Sequence, residues 1–182
     1  MRKFNFLILI LFLCSCNGSD NPIVDNETIP KESFKRNPKE EVVADGVKLE
    51  IYDFQNFEPF LSQDNDRIHV INFWATWCVP CVKELPYFEQ LGEKYPEIKV
   101  ILVSLDFRKA IESDLIPFIV ENDLKSEVIM LHEPDANSWV PKIDPDWSGA
   151  IPATIIYRGN KSEFYEQSFT FEELETEVQK FK

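Results

Sequence analysis

The feature that most constrains the fold is a buried-strand pattern that leads directly into two cysteines three positions apart. Residues 69–74 (HVINFW) are mostly apolar, which predicts a central buried strand, and residues 80–95 carry leucine and phenylalanine at three-residue steps, which predicts a helix. Cys78 and Cys81 lie where the strand passes into the helix. Peptide dipoles and free N–H groups at a helix N-terminus lower a thiol pKa below its ordinary value of about 8.5. The junction therefore predicts a reactive thiol pair.

The spacing of the two cysteines permits disulfide exchange. Thiols one helical turn apart can close a reducible disulfide, so Cys78 is predicted to attack a disulfide and Cys81 to resolve the mixed intermediate. A zinc site requires about four ligands, and beyond residue 16 the only other soft ligands are His69 and His132. We therefore predict no metal site and assign both histidines structural or surface positions.

The residues around the cysteines resemble a known family. Residues 77–81 (WCVPC) resemble the redox motif of the thioredoxin superfamily, and residues 72–86 are similar to the TlpA/ResA-type branch of membrane-tethered bacterial thiol–disulfide oxidoreductases. The resemblance covers roughly residues 45–182. It implies an α/β, thioredoxin-like fold, in which helices flank a central mixed sheet and an extra strand–helix insertion follows the second core strand.

A proline far along the chain extends the resemblance. Proline cannot donate to a sheet ladder, so Pro152, at the start of a predicted strand, is either an edge feature or a cis-proline. It resembles the cis-proline of thioredoxin-like proteins, which lies against the CxxC pair and presents the backbone of the preceding residue to a bound peptide. The resemblance implies a substrate-binding set of Trp77, Val79, Pro80, Ile151 and Pro152.

The proton acceptor of the resolving thiol departs from the commonest thioredoxin pattern. Thioredoxins resemble one another in a buried aspartate six positions before the first cysteine, where this chain has Asn72, which cannot accept a proton. Glu84 lies three residues after Cys81 on the same helix face and matches the glutamate of the TlpA/ResA-type motif. We predict that Glu84 accepts the proton; the alternative is a solvated acid in the first helical turn.

The N-terminus has the layout of a secretory signal. Two basic residues precede nine consecutive apolar residues, Phe6 to Cys14, too few for the roughly 20 of a membrane span. We predict a signal peptide over residues 1–15, and residues 13–16 (LCSC) are similar to a bacterial lipobox, which implies a lipid on Cys16. Ordinary secretion is the alternative. After acylation only the CxxC pair remains as thiols, so no structural disulfide framework is available.

A polar segment separates the leader from the predicted domain. Residues 16–41 are rich in Asn, Asp, Glu and Lys, with three prolines and few apolar residues, which predicts a flexible tether. A partner-binding segment at Ile23–Val24 or Phe34 is the alternative.

The thioredoxin-like domain is predicted over residues 42–182. Trp139 and Trp147 lie in a stretch predicted to be irregular, where they either pack the loop down or form a substrate-facing rim. The other predicted elements are strands at 47–51, 98–105, 128–131, 153–157 and 163–166, a short helix at 56–61, a helix at 109–122 interrupted near Pro117, and a final helix after a capping box at 170–173.

Charge excludes some function classes. The net charge is −13, and loss of residues 1–15 would leave 17 basic against 32 acidic residues, or −15. So acidic a surface argues against nucleic-acid binding and against electrostatic attachment to anionic lipid. Membrane association is therefore expected from the lipid on Cys16.

The function implied by the resemblance is reduction of protein disulfides outside the cytoplasm. The protein would be lipid-anchored in the cell envelope, facing the periplasm or the exterior, and its substrates would include those of cytochrome c maturation. No pyridine-nucleotide or flavin motif is visible, so we expect no cofactor beyond the Cys78–Cys81 disulfide and expect electrons from a membrane thiol-transfer protein. We expect a monomer.

Three alternatives differ in class. A disulfide oxidase or isomerase would use the same thiols. A peroxidase on the related fold is disfavoured, because the Pro and Thr of a Pro-x-x-x-Thr-x-x-Cys motif are replaced by Ile71 and Ala75. A non-enzymatic binding lipoprotein would be expected to have lost a thiol, and both are present.

Overall fold

The computed structural model describes residues 34–182. The signal peptide predicted at residues 1–15, the lipid site at Cys16 and most of the predicted tether lie outside these residues. The strands are β1 (Glu40–Ala44), β2 (Val47–Tyr52), β3 (His69–Trp74), β4 (Lys99–Ser104), β5 (Glu127–Leu131), β6 (Ala153–Arg158) and β7 (Lys161–Tyr165). The α-helices are α1 (Phe54–Phe57), α2 (Val79–Lys94), α3 (Ile116–Glu121), α4 (Ala136–Ile143) and α5 (Phe171–Gln179).

The seven strands of the described region form one mixed sheet in the order β1-β2-β5-β4-β3-β6-β7. Neighbours from β2 to β3 run parallel, whereas β1, β6 and β7 pair antiparallel. Strand β5 follows β4 in the chain and forms an extra strand between β2 and β4. The thioredoxin-like α/β fold is thereby confirmed.

Strand β3 is buried on both faces. Val70 and Trp74 belong to an apolar layer formed with side chains of α2 and α5, and Ile71 and Phe73 belong to a second layer with side chains of α1 and α4. All six residues of β3 are buried, which confirms the predicted central strand. None of the helices within residues 34–182 is both long and apolar enough to cross a bilayer.

The C-terminal part of the predicted tether, residues 16–41, belongs to the folded domain. The ring of Phe34 packs edge-on against the ring of Phe60, with centroids 4.8 Å apart, and Arg36 donates to Glu50 at 3.0 Å. Strand β1 also begins before residue 42 and pairs with β2 along its whole length. β1 lies at the edge of the sheet and its residues are largely exposed, so its polar composition resembles that of a tether.

Two helical regions differ from the prediction. The segment predicted as a helix at 109–122 contains a 3-10 turn, a π-helical turn and then α3, which starts beside Pro117 because proline lacks the N–H that a continuing helix needs. The stretch predicted to be irregular contains α4, which is capped by Asp135. Trp139 and Trp147 are both buried, so they pack this region down and the rim interpretation is wrong.

His69 is a structural residue, as predicted. Its ring stacks on Tyr157 with centroids 4.6 Å apart, and its Nε2 lies 2.9 Å from Asn65 Oδ1. Burial, together with the charges of Arg67 and Lys99, lowers the pKa of His69 from 6.5 to about 4. The folded protein therefore holds His69 neutral at a pH where the unfolded chain protonates it.

This difference predicts a pH dependence of stability. The contribution of His69 is complete above its unfolded pKa of 6.5 and is lost as pH falls toward 4, because the unfolded state then binds the extra proton. His69→Phe, which keeps a ring against Tyr157, should flatten this part of the curve. The measurement is the free energy of unfolding in urea from about pH 4.5 to pH 8, with exposed His132→Gln as the control. Parallel curves for His69→Phe and the parent would show that folding does not lower the pKa of His69.

Candidate active site

The two cysteines occupy the start of α2 in different environments. Cys78 is the N-cap, with an extended backbone, and its Sγ accepts a hydrogen bond from the Cys81 N–H at 3.3 Å. The two sulfurs are joined in a disulfide. Cys78 is 6% exposed and Cys81 is fully buried. In the reduced protein the helix dipole and this N–H favour a thiolate on Cys78, the sulfur that a substrate can reach.

The loop before β6 lies against the disulfide. The Ile151–Pro152 peptide bond is cis, as predicted, and the carbonyl oxygen of Ile151 lies 3.6 Å from Cys78 Sγ. Pro152 is buried and Ile151 is half-buried. These two residues are therefore placed beside the CxxC pair, although they are 70 or more positions away in the chain.

The other residues predicted to bind substrate are exposed. Trp77 is 55% exposed and Val79 is 64% exposed, and Pro80 also faces solvent. Exposed apolar side chains next to a reactive group are typical of a contact surface. The structure thus brings all five predicted residues to the disulfide, and their role in binding stays a prediction.

Glu84 is buried, so its interpretation as a solvated acid is wrong. It is 2% exposed. Its Oε1 accepts from Asn72 Nδ2 at 2.9 Å, and its Oε2 accepts from the Phe169 N–H at 2.8 Å. Burial raises the pKa of Glu84 to about 7, although both hydrogen bonds act in the opposite direction. A carboxyl group with this pKa can both accept and release a proton near neutral pH.

Asn72 positions the glutamate. It is fully buried, and its side-chain amide donates to Thr154 Oγ1 at 3.1 Å as well as to Glu84. No described residue donates to Asn72 Oδ1. The amide therefore orients the carboxylate without competing for its proton.

Sequence reasoning missed Asp106. This buried residue follows β4 and accepts from the Thr76 N–H at 3.1 Å, from the Thr76 hydroxyl at 2.6 Å and from the Ser104 hydroxyl at 2.8 Å. It thereby fixes the backbone two residues before Cys78. The available signal was a polar residue directly after a strand that runs parallel to β3, because the carboxyl ends of parallel strands meet at one edge of the sheet.

Comparison with known proteins identifies the family. Residues 48–115 match the Thioredoxin family. The thiol–disulfide oxidoreductase ResA of Bacillus cereus is 34% identical over 135 residues, and that of Bacillus thuringiensis is 31% identical over 133 residues. Each alignment covers 70% of this chain and 70% of the relative. The chain belongs to the ResA-type thiol–disulfide oxidoreductases of the thioredoxin superfamily.

A solved structure shares the fold. The secreted thiol–disulfide isomerase of Corynebacterium glutamicum aligns with a TM-score of 0.55 at 16% identity, over 78% of this chain and 80% of its own. This match supports the thioredoxin-like fold. The ResA relatives show that the present protein is a thiol–disulfide oxidoreductase, and Cys78–Cys81 is its candidate redox pair. Within residues 34–182, no cluster of three or more His, Cys, Asp or Glu is arranged to hold a metal ion.

The burial of the sulfurs predicts which thiol attacks. Cys81→Ser should trap mixed disulfides with substrate proteins, because Cys78 can still attack but nothing resolves the product. Cys78→Ser should trap none, because the remaining thiol is fully buried. Non-reducing gels and mass spectrometry of the adducts measure both variants, with a reductant-treated sample as the control. Equal trapping by the two variants would reverse or remove the assignment.

Proposed function

We propose that this oxidoreductase acts as a reductant of disulfides in proteins outside the cytoplasm. The direction of electron transfer is inferred from the buried carboxyl group of Glu84, which lies one helical turn after Cys81. Strong thiol oxidants owe their high potential to a stabilised reduced form. Here the residues between the cysteines, Val79 and Pro80, are uncharged, so they add no charge to the stabilisation that the helix N-terminus gives the Cys78 thiolate. A buried carboxylate also disfavours a thiolate at Cys81. Both features favour the disulfide form and hence electron donation to substrates.

The proposed reaction begins at Cys78. Its thiolate attacks one sulfur of a substrate disulfide, a mixed disulfide forms, and the other substrate sulfur leaves as a thiolate. Cys81 then loses its proton to Glu84, directly or through one water, and attacks Cys78 Sγ. The substrate's second sulfur leaves, so two electrons have passed to the substrate and the enzyme holds the Cys78–Cys81 disulfide.

The surroundings of Glu84 support a relay of this kind. The carboxyl group is held from two sides, by the Asn72 amide and the Phe169 N–H, so its position is defined. With its pKa at about 7, Glu84 is ionised in a substantial fraction of molecules at neutral pH.

Replacement of Glu84 tests the proton step. Glu84→Gln keeps the shape and removes the base, so resolution of the mixed disulfide should slow by roughly a hundredfold. The parent's resolution rate should rise as pH passes about 7, and the variant should lose this rise. Stopped-flow single turnovers of the pre-reduced protein measure both rates, and Glu93→Gln, an exposed acid on the same helix, is the control.

The free energy of unfolding, measured across the same pH range, shows whether slower resolution in Glu84→Gln comes from the lost base or from a misfolded variant. The pKa of Glu84 is raised on folding, so the stability it contributes is complete below its unfolded pKa of 4.5 and is lost as pH rises through about 7. Oxidised Glu84→Gln should therefore keep its stability where the parent loses roughly 3 kcal/mol. A variant that turns over like the parent at each pH would leave Glu84 without a part in the reaction.

The reduction potential tests the direction of electron flow. We expect a value near the roughly −270 mV of thioredoxin, because no charged residue lies between the cysteines to stabilise the Cys78 thiolate beyond the effect of the helix N-terminus. Equilibration with glutathione or dithiothreitol buffers, followed by thiol alkylation and mass spectrometry, measures it. A value near the roughly −120 mV of a strong oxidant would assign the protein as an oxidase instead.

The cellular setting is part of the proposal. The lipobox-like sequence at residues 13–16 supports anchoring of the protein to the cell envelope through a lipid on Cys16, facing the periplasm or the exterior. Electrons would come from a membrane thiol-transfer protein. The resemblance of residues 72–86 to the TlpA/ResA-type motif supports apocytochromes c as substrates, whose haem-binding cysteines must be reduced.

A further inference from the structure

Most exposed large apolar side chains of the described region gather at the redox pair. Five such side chains are more than 45% exposed: Val43, Trp77, Val79, Phe107 and Val120. Trp77 and Val79 flank Cys78 in the chain. Phe107 is 61% exposed, and its ring stacks on that of Trp77 with centroids 6.2 Å apart and an interplanar angle of 27°. Phe107 therefore belongs to the surface around Cys78, although it lies on the loop after β4.

The position of Phe107 is fixed by its neighbour. Asp106 accepts from both the backbone N–H and the hydroxyl of Thr76. Asp106 directly precedes Phe107 in the chain, and Thr76 directly precedes Trp77. The same contact therefore aligns the two rings with each other and with Cys78, the residue after Trp77.

The fold does not account for the exposed rings. Neither Trp77 nor Phe107 belongs to the two apolar layers of the domain. Burial of an aromatic ring is favourable, and a ring already held in place loses little conformational entropy when a partner covers it. A stacked, exposed pair on a fixed loop is therefore preorganised to bind an apolar group.

We propose that Phe107 is a specificity-determining residue that contacts the substrate polypeptide. The Trp77–Phe107 pair receives a large apolar side chain, aromatic or aliphatic, that lies close to the attacked cysteine of the substrate. Trp77 directly precedes Cys78, and its ring centroid lies 6.2 Å from that of Phe107. An extended chain advances about 3.3 Å per residue, so we expect side chains one to three positions from the attacked cysteine to reach the ring pair. This inference rests on the proposed reduction of protein disulfides and names the sequence feature that the enzyme selects.

Paired peptides test the proposal. Two disulfide peptides differ only in having Phe or Ala two positions from the attacked cysteine, and oxidised glutathione serves as a small disulfide without an apolar side chain. Pre-reduced parent, Phe107→Ala, Phe107→Tyr and Val120→Ala are each followed in single turnovers. Val120→Ala removes an exposed apolar side chain elsewhere on the domain and is the matched control.

The expected result is selective. The parent should reduce the Phe peptide about tenfold faster than the Ala peptide, and Phe107→Ala should lose this preference, a change of about 1.4 kcal/mol. Oxidised glutathione should react at rates within about twofold in all four proteins, and Phe107→Tyr, which keeps the ring, should keep the preference. If Phe107→Ala fails to fold, the parent still tests the proposal, because equal rates on the Phe and Ala peptides would contradict it.

Other outcomes overturn the inference in different ways. A parent without preference, or a Phe107→Ala variant that slows on all three substrates equally, would show that Phe107 does not select substrate. Concentration-dependent dimerisation of the parent that Phe107→Ala abolishes would assign the rings to a contact between copies of the chain. A pre-reduced parent that reduces none of the three disulfides would instead contradict the proposed function.

Discussion

Strand β3 lies between two apolar layers and two hydrogen-bonded neighbours, so it cannot shift along its axis without exposing side chains of both layers. Its carboxyl end is therefore a fixed point. Strand β4 is parallel to β3 and ends at the same edge of the sheet, whereas β6 is antiparallel and begins there. This topology brings together the helix that starts after Cys78, the Asp106 that follows β4 and the Pro152 that precedes β6.

The apolar layer that holds β3 also sets the acidity of Glu84. A carboxylate in such a layer loses most of its hydration, and two hydrogen bonds do not restore it, so the neutral form persists to a pH of about 7. One of the two donors, the Phe169 N–H, lies just before α5, whose start is fixed by a capping box between Thr170 and Glu173. Packing of the last helix therefore helps to set the pKa of Glu84, the residue proposed to accept the proton of Cys81.

Local patterns predicted the elements whose causes are local. The apolar run at β3, the periodicity of α2 and the capping box of α5 each depend on neighbouring residues, and each is present as predicted. Helix α4 was missed because Pro141 lies inside an eight-residue helix, which tertiary packing of Trp139 stabilises. Asp106 and Phe107 were missed because their partners lie 30 residues earlier in the chain. The hydrogen bond from the Phe169 N–H to Glu84 joins residues 85 positions apart, so no sequence period reports that contact.

The edge strand β1 has a consequence for solubility. An edge strand offers unpaired backbone groups on which a second chain can add, which is a route to aggregation. β1 presents adjacent acids at that edge, Glu40 and Glu41, and each is ion-paired within its own chain, with Arg108 and Lys48 respectively. A second copy would bring like charges together along this edge and would have to displace these ion pairs. Loss of these ion pairs would add a free-energy cost to pairing at this edge, which disfavours sheet-to-sheet association of neighbouring molecules.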